Sequence, residues 1–446
     1  MLASLFLPLL LSSVQAPGDL ERFVERCARE AVEREGVPGL SIAVLLDGEL
    51  VLSTGFGWAD EARGLPMRRE TRFPIGSLGR GLLAAAVLRA VERKELALDA
   101  RLATLVPELG PAAREATLRQ LLEGTSGLPR ASELFPRLAA RAVEGRLGLR
   151  EFGELVASLP PGSAPGEGFE SDSVAWLWVP PAVSGATHQP FAKFVAEELL
   201  LPLGLTDTQL VDEAPGTLGH AQDCRELDSG HALEVWSGAE PRELCAHFTS
   251  TAGDLVRWQS ALFDRALLSE ASTRLLTEGL RTPRGESRGE NACFVLGRLG
   301  TEPSWRHVGG IGGWRGALSW YGNARLSVCV LANCAGARVG ELEDEIARFA
   351  LRLAPRAPRD LALDEGEAAR YAGTYQLGTT RVRIALRAGK LVYESPQETL
   401  LLCNQGFGRF LSADGEVLLV FRAGDGRASA FEETRKGSTS VAQRVD

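Results

Sequence analysis

The spacing of apolar residues indicates which parts of the chain form helices and which form strands. Residues 19–35 place apolar side chains at helical spacing among charged ones. The segment GVPGLSIAVLLDGELVLSTGFGWAD (36–60) instead contains two apolar runs joined at Asp47-Gly48, a dipeptide that strongly favours a tight β-hairpin. Residues 72–93 return to helical spacing. This part of the chain therefore predicts a helix, a hairpin and a second helix.

A second strand-rich stretch lies at residues 293–333, where the runs CFVLG, ALSWY and RLSVCVLAN are separated by glycine-rich turns. Helices are predicted between the two strand groups and after the second, at 117–123, 149–157, 191–201 and 340–353. The strand groups can share one sheet only if the chain leaves the sheet, builds a helical lobe and returns. The predicted fold is therefore α/β (α+β): an antiparallel sheet flanked by helices, with an inserted helical lobe and a cleft between them.

The last part of the chain predicts a separate small domain. The segment APRAPRD (354–360) is punctuated by prolines and is typical of a linker. Beyond it, runs such as RVRIALR, KLVYES and EVLLVFR are short and closely spaced, which is the pattern of a small antiparallel, all-β domain. We therefore expect a main domain over 17–354, a linker over 355–365 and a C-terminal β domain over 366–446.

Composition limits the partners and the location of the protein. The chain has 446 residues and a formal net charge of −9, so there is no electrostatic reason to expect nucleic acid or an anionic membrane as partner. Residues 1–16 are apolar and end in the small-x-small pattern Val14-Gln15-Ala16, which predicts a signal peptide cut after Ala16 and a secreted or periplasmic protein. The alternative is a buried N-terminal helix. We expect no membrane-spanning segment after signal cleavage.

The cysteines do not predict a metal site or a cofactor. The seven cysteines lack CxxC spacing, and no histidine clusters with them. Cys224 and Cys245 lie in one loop-rich stretch and are candidates for a disulfide in an oxidising compartment. We expect most of the others to be small buried apolar residues.

Ser77 is the first candidate for catalytic chemistry. It stands in TRFPIGSLGRGLLAAAVLRAVE, immediately before an apolar periodic segment, and Arg80 lies three residues later on the same helical face. The free N–H groups at the start of a helix are suited to stabilising an oxyanion. The alternative is that Ser77 only caps the helix, since serine is a preferred N-cap residue.

Several segments in order extend this interpretation: T-x-F-x-I-G-S, KELALDARLATLVPEL, LLEGTSGLP, PLGLTDT, FTSTAGDLVRWQSAL and HVGG. Together they resemble the serine β-lactamase-related family, which includes class C β-lactamases, penicillin-binding D,D-peptidases and esterases on the same scaffold. The resemblance runs from about residue 20 to residue 350. It implies a β-lactamase/transpeptidase-like sandwich and acyl-serine chemistry. The piece from RYAGTY onwards resembles the small β-barrel-like domain often appended to such proteins.

The first family motif is Ser-x-x-Lys, in which serine is acylated and lysine helps to remove its proton. Here the motif is Ser77-Leu78-Gly79-Arg80. A guanidinium has a pKa above about 12 and cannot act as a base. Only four of the 49 basic residues are lysines, so a general replacement of lysine by arginine offers a simple origin for the change.

The second motif is Tyr-x-Asn, and the matching stretch PGEGFESDSVAW places Glu170 at the tyrosine and Asp172 at the asparagine. In the family the tyrosine relays protons and the asparagine positions the substrate amide. One hypothesis is that Glu170 forms an ion pair with Arg80, as a compensated swap of lysine and tyrosine. The other is that Glu170 became the base, acting through a water.

The third motif closes the cleft and reads His307-Val308-Gly309, followed by Gly310. The resemblance implies that His307 contacts a substrate carboxylate or moves protons. Gly309 and Gly310 permit close approach of the backbone, and the peptide edge there would complete an oxyanion hole with the Ser77 N–H.

Two functions remain open from the sequence. The first is an atypical serine hydrolase that acts through Ser77 on small esters, amides or peptidoglycan-like peptides, with His307 or Glu170 as base. The second is a catalytically impaired protein that binds a small molecule or peptide in the same cleft. Removing the base from a coupled site costs several powers of ten in rate, so Arg80 favours inactive or atypical chemistry.

Overall fold

The computed structural model describes most of the chain. The described residues are 17–109, 115–141, 147–170, 174–211, 247–279, 289–291, 293–311, 313–353, 360–406, 408–422, 426–435 and 438–446. The chain divides into two compact units, Met1–Leu353 and Ala354–Asp446. The predicted disulfide of Cys224 and Cys245, the residues of the predicted signal peptide and residues 355–359 of the predicted linker lie outside the described residues.

The described part of the first unit contains helices α1–α11 and strands β1–β10. The helices are α1 Pro17–Arg34, α2 Arg80–Glu92, α3 Leu102–Leu105, α4 Leu118–Leu122, α5 Ala131–Arg141, α6 Leu149–Ala157, α7 Val179–Thr187, α8 Phe191–Val195, α9 Ala252–Phe263, α10 Glu270–Thr277 and α11 Val339–Ala350. The strands are β1 Gly39–Leu46, β2 Glu49–Asp60, β3 Leu65–Pro66, β4 Phe73–Pro74, β5 Gln209–Val211, β6 His247–Ser250, β7 Val295–Leu299, β8 Glu302–Ile311, β9 Trp314–Tyr321 and β10 Leu326–Ala332.

The main sheet joins the first and the last strand groups of this unit. Its order is β3-β2-β1-β10-β9-β8-β7, and β1 pairs with β10 antiparallel from Leu40↔Ala332 to Leu46↔Leu326. The β1–β2 hairpin turns at Asp47 and Gly48, whose φ angles are 49° and 84°, as a type I′ turn requires. The predicted single antiparallel sheet and the predicted hairpin are both confirmed.

Both faces of the sheet are covered by helices, which explains why its central strands are apolar on both sides. Alternate residues of β1 point into two different cores. Ala43 and Leu45 belong to the core that includes α2 and α9, whereas Ile42 and Val44 belong to the core formed with α1 and α11. The predicted sheet flanked by helices is confirmed. In the described part of the chain, no helix combines the length and the apolar character needed to cross a bilayer.

The helix predicted over 72–93 begins later than the periodicity indicates. Phe73–Pro74 is strand β4, paired with β6, and Gly76–Gly79 forms a 3-10 turn before α2 starts at Arg80. Gly76 has a φ of 50°, a left-handed conformation that an α-helix cannot contain. The chain therefore leaves the small β4-β6-β5 sheet through a tight turn that carries Ser77, and only then becomes helical.

The segment between the strand groups is mainly helical in its described residues, as predicted, but it also contains the small β4-β6-β5 sheet. Helix α4 begins at a capping box, in which the Thr117 hydroxyl accepts from the Gln120 N–H and the Gln120 side chain accepts from the Thr117 N–H. Helix α6 covers the predicted residues 149–157. The helix predicted over 191–201 is divided into α8 and a following π-helical turn, Ala196–Leu200.

The second unit is a closed antiparallel barrel preceded by a short helix. Its elements are α12 Glu365–Tyr371, β11 Gly373–Leu377, β12 Thr380–Arg387, β13 Lys390–Glu394, β14 Thr399–Gly406, β15 Arg409–Ser412, β16 Val417–Arg422, β17 Ala430–Arg435 and β18 Ser438–Arg444. The barrel closes because β11 pairs with β18. Aromatic side chains contribute much of its interior, where the rings of Tyr375, Phe421 and Phe431 contact one another. The predicted β domain is confirmed, but it opens with α12, which the sequence analysis did not predict.

Five cysteines lie in the described residues and none of these is in a disulfide. Cys27, Cys293, Cys329 and Cys403 are buried, in agreement with the expected role as small apolar residues, and Cys334 is partly exposed. The described residues contain no group of histidine, cysteine and acidic side chains able to hold a metal ion.

A buried ion pair ties β8 to α11. The Glu343 side chain is completely buried, accepts from Arg306 at 2.7 Å and accepts from the Tyr321 hydroxyl at 2.7 Å. Burial raises the pKa of Glu343, and the Arg306 guanidinium and the Tyr321 hydroxyl oppose that rise. Because Arg306 also donates to the Gly340 carbonyl at 3.0 Å, the helix and the strand are held at several points. This strand carries His307 on its opposite face.

We predict that Glu343→Ala lowers the free energy of unfolding by about 3 kcal/mol, because it leaves the partly exposed Arg306 guanidinium and the buried Tyr321 hydroxyl without their carboxylate partner. Chemical denaturation monitored by circular dichroism measures the change. Glu341→Ala, on the same helix, removes a partly exposed carboxylate paired with Arg338 and should cost at most about 1 kcal/mol. Equal losses in the two variants would contradict the structural role of the buried pair.

Candidate active site

Ser77 lies in the 3-10 turn that precedes α2. The turn is fixed by the Ile75 N–H donating to the Phe248 carbonyl and by the Leu78 N–H donating to the Ile75 carbonyl, both at 3.0 Å. The N-cap residue of α2 is Gly79, and no side chain caps it. The sequence left open that Ser77 is a helix cap, and this alternative is wrong, since its hydroxyl is directed to a different partner.

That partner is His307 on β8. The Nε2 atom of His307 lies 3.2 Å from the Ser77 Oγ, and its Nδ1 lies 2.6 Å from the backbone carbonyl oxygen of Cys293. A carbonyl oxygen can only accept, so Nδ1 carries the proton in the neutral ring. Nε2 is then the acceptor, and the Ser77 hydroxyl donates to it. The predicted convergence of Ser77 and His307, which are 230 residues apart, is present in the structure.

The surroundings of His307 keep its imidazole neutral. The His307 side chain retains some contact with solvent, but protein atoms surround it closely. The pKa of His307 is lowered to about 4, mainly by burial and in addition by the charge of Arg80, while the bond to the Cys293 carbonyl opposes the shift. At pH 7 the ring is therefore unprotonated and able to accept a proton from Ser77.

Arg80 lies in the same cluster. It is the first residue of α2, and its guanidinium carbon is 5.9 Å from the ring centroid of Trp176, an indole with 5% exposure. Its charge acts on both His307 and Cys293, where burial raises the thiol pKa to about 12 and Arg80 opposes the rise. Arg80 thus stands where the lysine of the first motif was expected, as a permanent cation.

Glycines allow β8 to approach the Ser77 turn closely. A Cβ atom on Gly309 would lie 2.1 Å from the Ser77 Oγ and 3.3 Å from Nε2 of His307. A Cβ atom on Gly76 would lie 2.5 Å from the carbonyl oxygen of Gly310, and one on Gly310 would lie 2.0 Å from that of Trp314. Side chains would therefore force these backbones apart.

One edge of β8 pairs with β9, and the other edge pairs with β7. The pairing with β7 extends only from Glu302 to Arg306. From His307 to Ile311 this edge is therefore not covered by β7, and Gly309 stands beside Ser77. Such an edge is a suitable place for a backbone donor to a reacting carbonyl oxygen. The substrate-binding role of Gly309 and Gly310 stays a prediction.

Glu170 has a partner that the sequence did not predict. Its carboxylate forms an ion pair with Arg130, and its backbone N–H donates to the Gly124 carbonyl at 2.7 Å. The predicted pair with Arg80 stays a prediction, and so does the role of Glu170 as a base. Asp172 lies outside the described residues.

The first unit has no free tyrosine to replace the one that the second family motif would supply. Of the four tyrosines in the sequence only Tyr321 belongs to this unit, and its hydroxyl is bound to the buried Glu343. The lysines of this unit are Lys94, two residues beyond the end of α2, and Lys193, which pairs with Glu197. The structure places the titratable side chain of His307 in contact with Ser77.

Two parts of the site were missed in the sequence analysis. The carbonyl of Cys293 sets the tautomer of His307, but a backbone carbonyl leaves no signature in the sequence. Trp176 packs against Arg80, and its position four residues after Asp172 of the second motif was the only signal available.

The pattern of the beta-lactamase family matches residues 24–352. The chain belongs to this family. That assignment agrees with the fold and with a serine at the start of α2 facing β8.

Curated relatives of this beta-lactamase family member include hydrolases. The chain is 33% identical to esterase EstB of Burkholderia gladioli over 201 residues, which cover 42% of this chain and 50% of EstB. It is 25% identical to a D-aminopeptidase of Brucella ovis over 311 residues, which cover 67% of this chain and 57% of that protein. The chain thus spans only about half the length of these relatives.

Solved structures show the same fold over most of the chain. The octameric penicillin-binding protein homologue from Pyrococcus abyssi superposes with a TM-score of 0.61 at 18% identity, covering 96% of this chain and all of that one. The D-amino acid amidase from Ochrobactrum anthropi superposes with a TM-score of 0.60 at 20% identity, covering 74% of this chain and 98% of that one. At these identities the likeness shows the fold of the family.

We predict that Gly309→Ala abolishes most of the reactivity of Ser77, because the new Cβ must displace the hydroxyl or the strand. The expected loss is about 100-fold or more in the rate of covalent labelling by a fluorophosphonate, measured by intact mass. Gly336→Ala is the matched control, since a Cβ there meets no atom within 4 Å. Labelling of both variants at the wild-type rate, with unchanged thermal unfolding, would show that β8 does not closely confine Ser77.

Proposed function

We propose that this protein is a secreted acyl-serine hydrolase that cleaves small esters or amides, including peptidoglycan-like peptides, with Ser77 as nucleophile and His307 as general base. The observation that carries the proposal is the 3.2 Å contact between the Ser77 Oγ and Nε2 of a neutral His307 whose other nitrogen is bound to a carbonyl. This is the arrangement by which an imidazole activates a serine.

Acylation follows from this geometry. The Ser77 hydroxyl gives its proton to Nε2 of His307 while Oγ attacks the substrate carbonyl carbon, and the carbonyl oxygen becomes the oxyanion. The Ser77 N–H and the backbone of Gly309 and Gly310 are the donors expected to stabilise that oxyanion. The imidazolium returns its proton to the leaving alcohol or amine, which leaves an acyl ester on Ser77.

Deacylation reverses these roles with water. His307 is neutral again after the leaving group departs and accepts a proton from a water that attacks the acyl carbonyl. The imidazolium then returns the proton to the Ser77 Oγ as the acyl bond breaks. The products are a carboxylic acid and the free serine.

We expect the pair of Ser77 and His307 to react more slowly than a Ser-His-Asp triad. The Nδ1 partner is the neutral carbonyl of Cys293, which stabilises an imidazolium less than a carboxylate does. The charge of Arg80 also disfavours the imidazolium, although the same charge favours the oxyanion formed beside it. The similarity to an esterase and to a D-aminopeptidase supports esters and amides as the substrate class.

The alternative is a protein that binds a ligand in the cleft without turning it over. It is favoured by the arginine in place of the motif lysine and by the lack of a tyrosine at the second motif. The two functions differ in whether Ser77 can be acylated.

We predict that the protein hydrolyses p-nitrophenyl acetate and acquires one fluorophosphonate adduct on Ser77. Ser77→Ala should abolish both reactions. His307→Gln keeps a polar side chain but cannot accept the proton, so kcat should fall by about 100-fold or more. His188→Gln, at the exposed end of α7, is the control and should retain wild-type activity.

The outcomes separate the two functions. An adduct on Ser77 that forms equally fast in His307→Gln would show that His307 is not the base. The lack of any adduct between pH 4 and pH 9 would instead support the ligand-binding alternative.

The pH dependence follows from the lowered pKa of His307. The base must be neutral, and its imidazole becomes protonated only as the pH falls through about 4, instead of the usual 6.5. The acid limb of kcat/KM should therefore lie near pH 4, and activity should persist unchanged between pH 7 and pH 5.5. An acid limb at pH 6 to 7 would contradict a His307 with a lowered pKa as the base.

A further inference from the structure

We propose that the C-terminal barrel contains a binding site for a free amino acid with an apolar side chain. The site is a cavity at one end of the barrel, with an ion pair at its mouth. All of the residues that line the cavity belong to the second unit. The site is therefore additional to the one around Ser77, and it does not depend on the reaction proposed there.

The interior of the barrel is not completely filled by its own side chains. A cavity of about 140 Å³ lies at the end where β12 turns into β13. Its inner wall includes Leu391, Leu402 and Phe410, which belong to the buried core of the barrel. A barrel of eight strands is wide enough to hold one small ligand, and a cavity of about 150 Å³ accommodates a molecule as large as benzene. The aliphatic side chain of an amino acid therefore fits.

Residues 360–363, which precede α12, form the outer wall of this cavity. The Leu361 N–H donates to the Asn404 carbonyl at 3.0 Å, and the Asn404 side-chain amide donates to the Ala362 carbonyl at 3.4 Å. These two bonds attach the segment to β14. Leu361 and Leu363 both line the cavity, and Leu361 is 43% exposed. A bound apolar group would cover this leucine as well as the inner wall.

The lining also includes one positive and one negative side chain, Lys390 and Asp360, which form an ion pair with each other. The Lys390 side chain is 48% exposed and the Asp360 side chain is 33% exposed, so solvent reaches both charges. An ion pair with this exposure contributes little to stability. A ligand that offers each charge a new partner can therefore separate the pair at small cost.

Charge complementarity selects the class of ligand. A simple carboxylate would bind Lys390 but place a second negative charge beside Asp360, and a simple amine would place a second positive charge beside Lys390. The zwitterion of an amino acid instead directs its ammonium group to Asp360 and its carboxylate to Lys390, so that both side chains keep a partner. Its apolar side chain then occupies the cavity. Leucine has a side chain of suitable size.

The experiment measures binding of leucine to the full chain by isothermal titration calorimetry. Three analogues with the same branched chain are compared: isocaproate lacks the ammonium group, isoamylamine lacks the carboxylate, and isoamyl alcohol lacks both charges. Leucine should bind about fivefold or more tightly than each analogue. Hydrogen–deuterium exchange then locates the site, and leucine should slow exchange in peptides that cover residues 360–363 and 389–404.

Variants test the two charges and the cavity separately. Lys390→Met and Asp360→Asn should each weaken leucine binding by about fivefold or more, because each leaves one charge of the ligand unpaired. Leu363→Phe enlarges a side chain that lines the cavity and should weaken binding by about tenfold. Arg422→Met is the matched control, since this exposed arginine pairs with Glu432 and does not line the cavity. Thermal unfolding followed by circular dichroism confirms that each variant is folded.

The outcomes distinguish this site from the proposed active site. Ser77→Ala should bind leucine as the wild type does, so that a failure of the hydrolase proposal would leave the barrel site standing. Three results would overturn the barrel site: no binding of leucine at millimolar concentration, isoamyl alcohol binding as tightly as leucine, or slowed exchange confined to peptides of the first unit. Unchanged affinity in both Lys390→Met and Asp360→Asn would overturn the assignment of a zwitterion.

Discussion

The contact between the Gly76–Ser77 turn and the Gly309–Gly310 backbone of β8 is the constraint on which the site depends. Two segments more than 200 residues apart approach so closely that a Cβ on Gly76 or on Gly309 would meet an atom of the other segment at 2.5 Å or 2.1 Å. A side chain between these two backbones would push them apart. The 3.2 Å contact of Ser77 with His307 would then be lost.

The rest of the main unit holds these two segments in place. The pairing of β1 with β10 makes one sheet from the two ends of the unit and thereby fixes β9 and β8 beside it. Leu78, next to the nucleophile, is buried against β9, where a Cβ on Gly316 would lie 2.9 Å from the Leu78 Cδ2 atom. On the other face, Arg306 and Glu343 connect β8 to α11. The nucleophile and the base thus stand on elements that are each held from two sides.

Electrostatics then decide what this rigid arrangement can do. The family places a lysine beside the serine, and a lysine can exchange protons. Here the neighbouring cation is fixed and the histidine is neutral, so the capacity to accept a proton resides on β8. The change at one position is therefore compatible with acyl chemistry, provided that the histidine takes over as base.

Local patterns in the sequence determined much of this protein. Apolar periodicity was sufficient to predict α1, α6 and α11. The Asp47-Gly48 dipeptide was sufficient to predict the hairpin. The ordered motifs were sufficient to identify the family and to select Ser77 and His307. These features depend on residues close together in the chain or on a pattern shared by relatives.

The tertiary structure decided the remainder, because those features depend on contacts between distant segments. The turn at Gly76–Gly79 replaces the first part of a predicted helix, since the chain must there pass from β4 into α2 against β8. The tautomer of His307 is set by a backbone carbonyl, which every residue possesses and no sequence pattern reveals. Glu170 pairs with Arg130 because the path of the chain brings the two side chains together. The sequence did not predict this pair, since many other arginines carry the same charge.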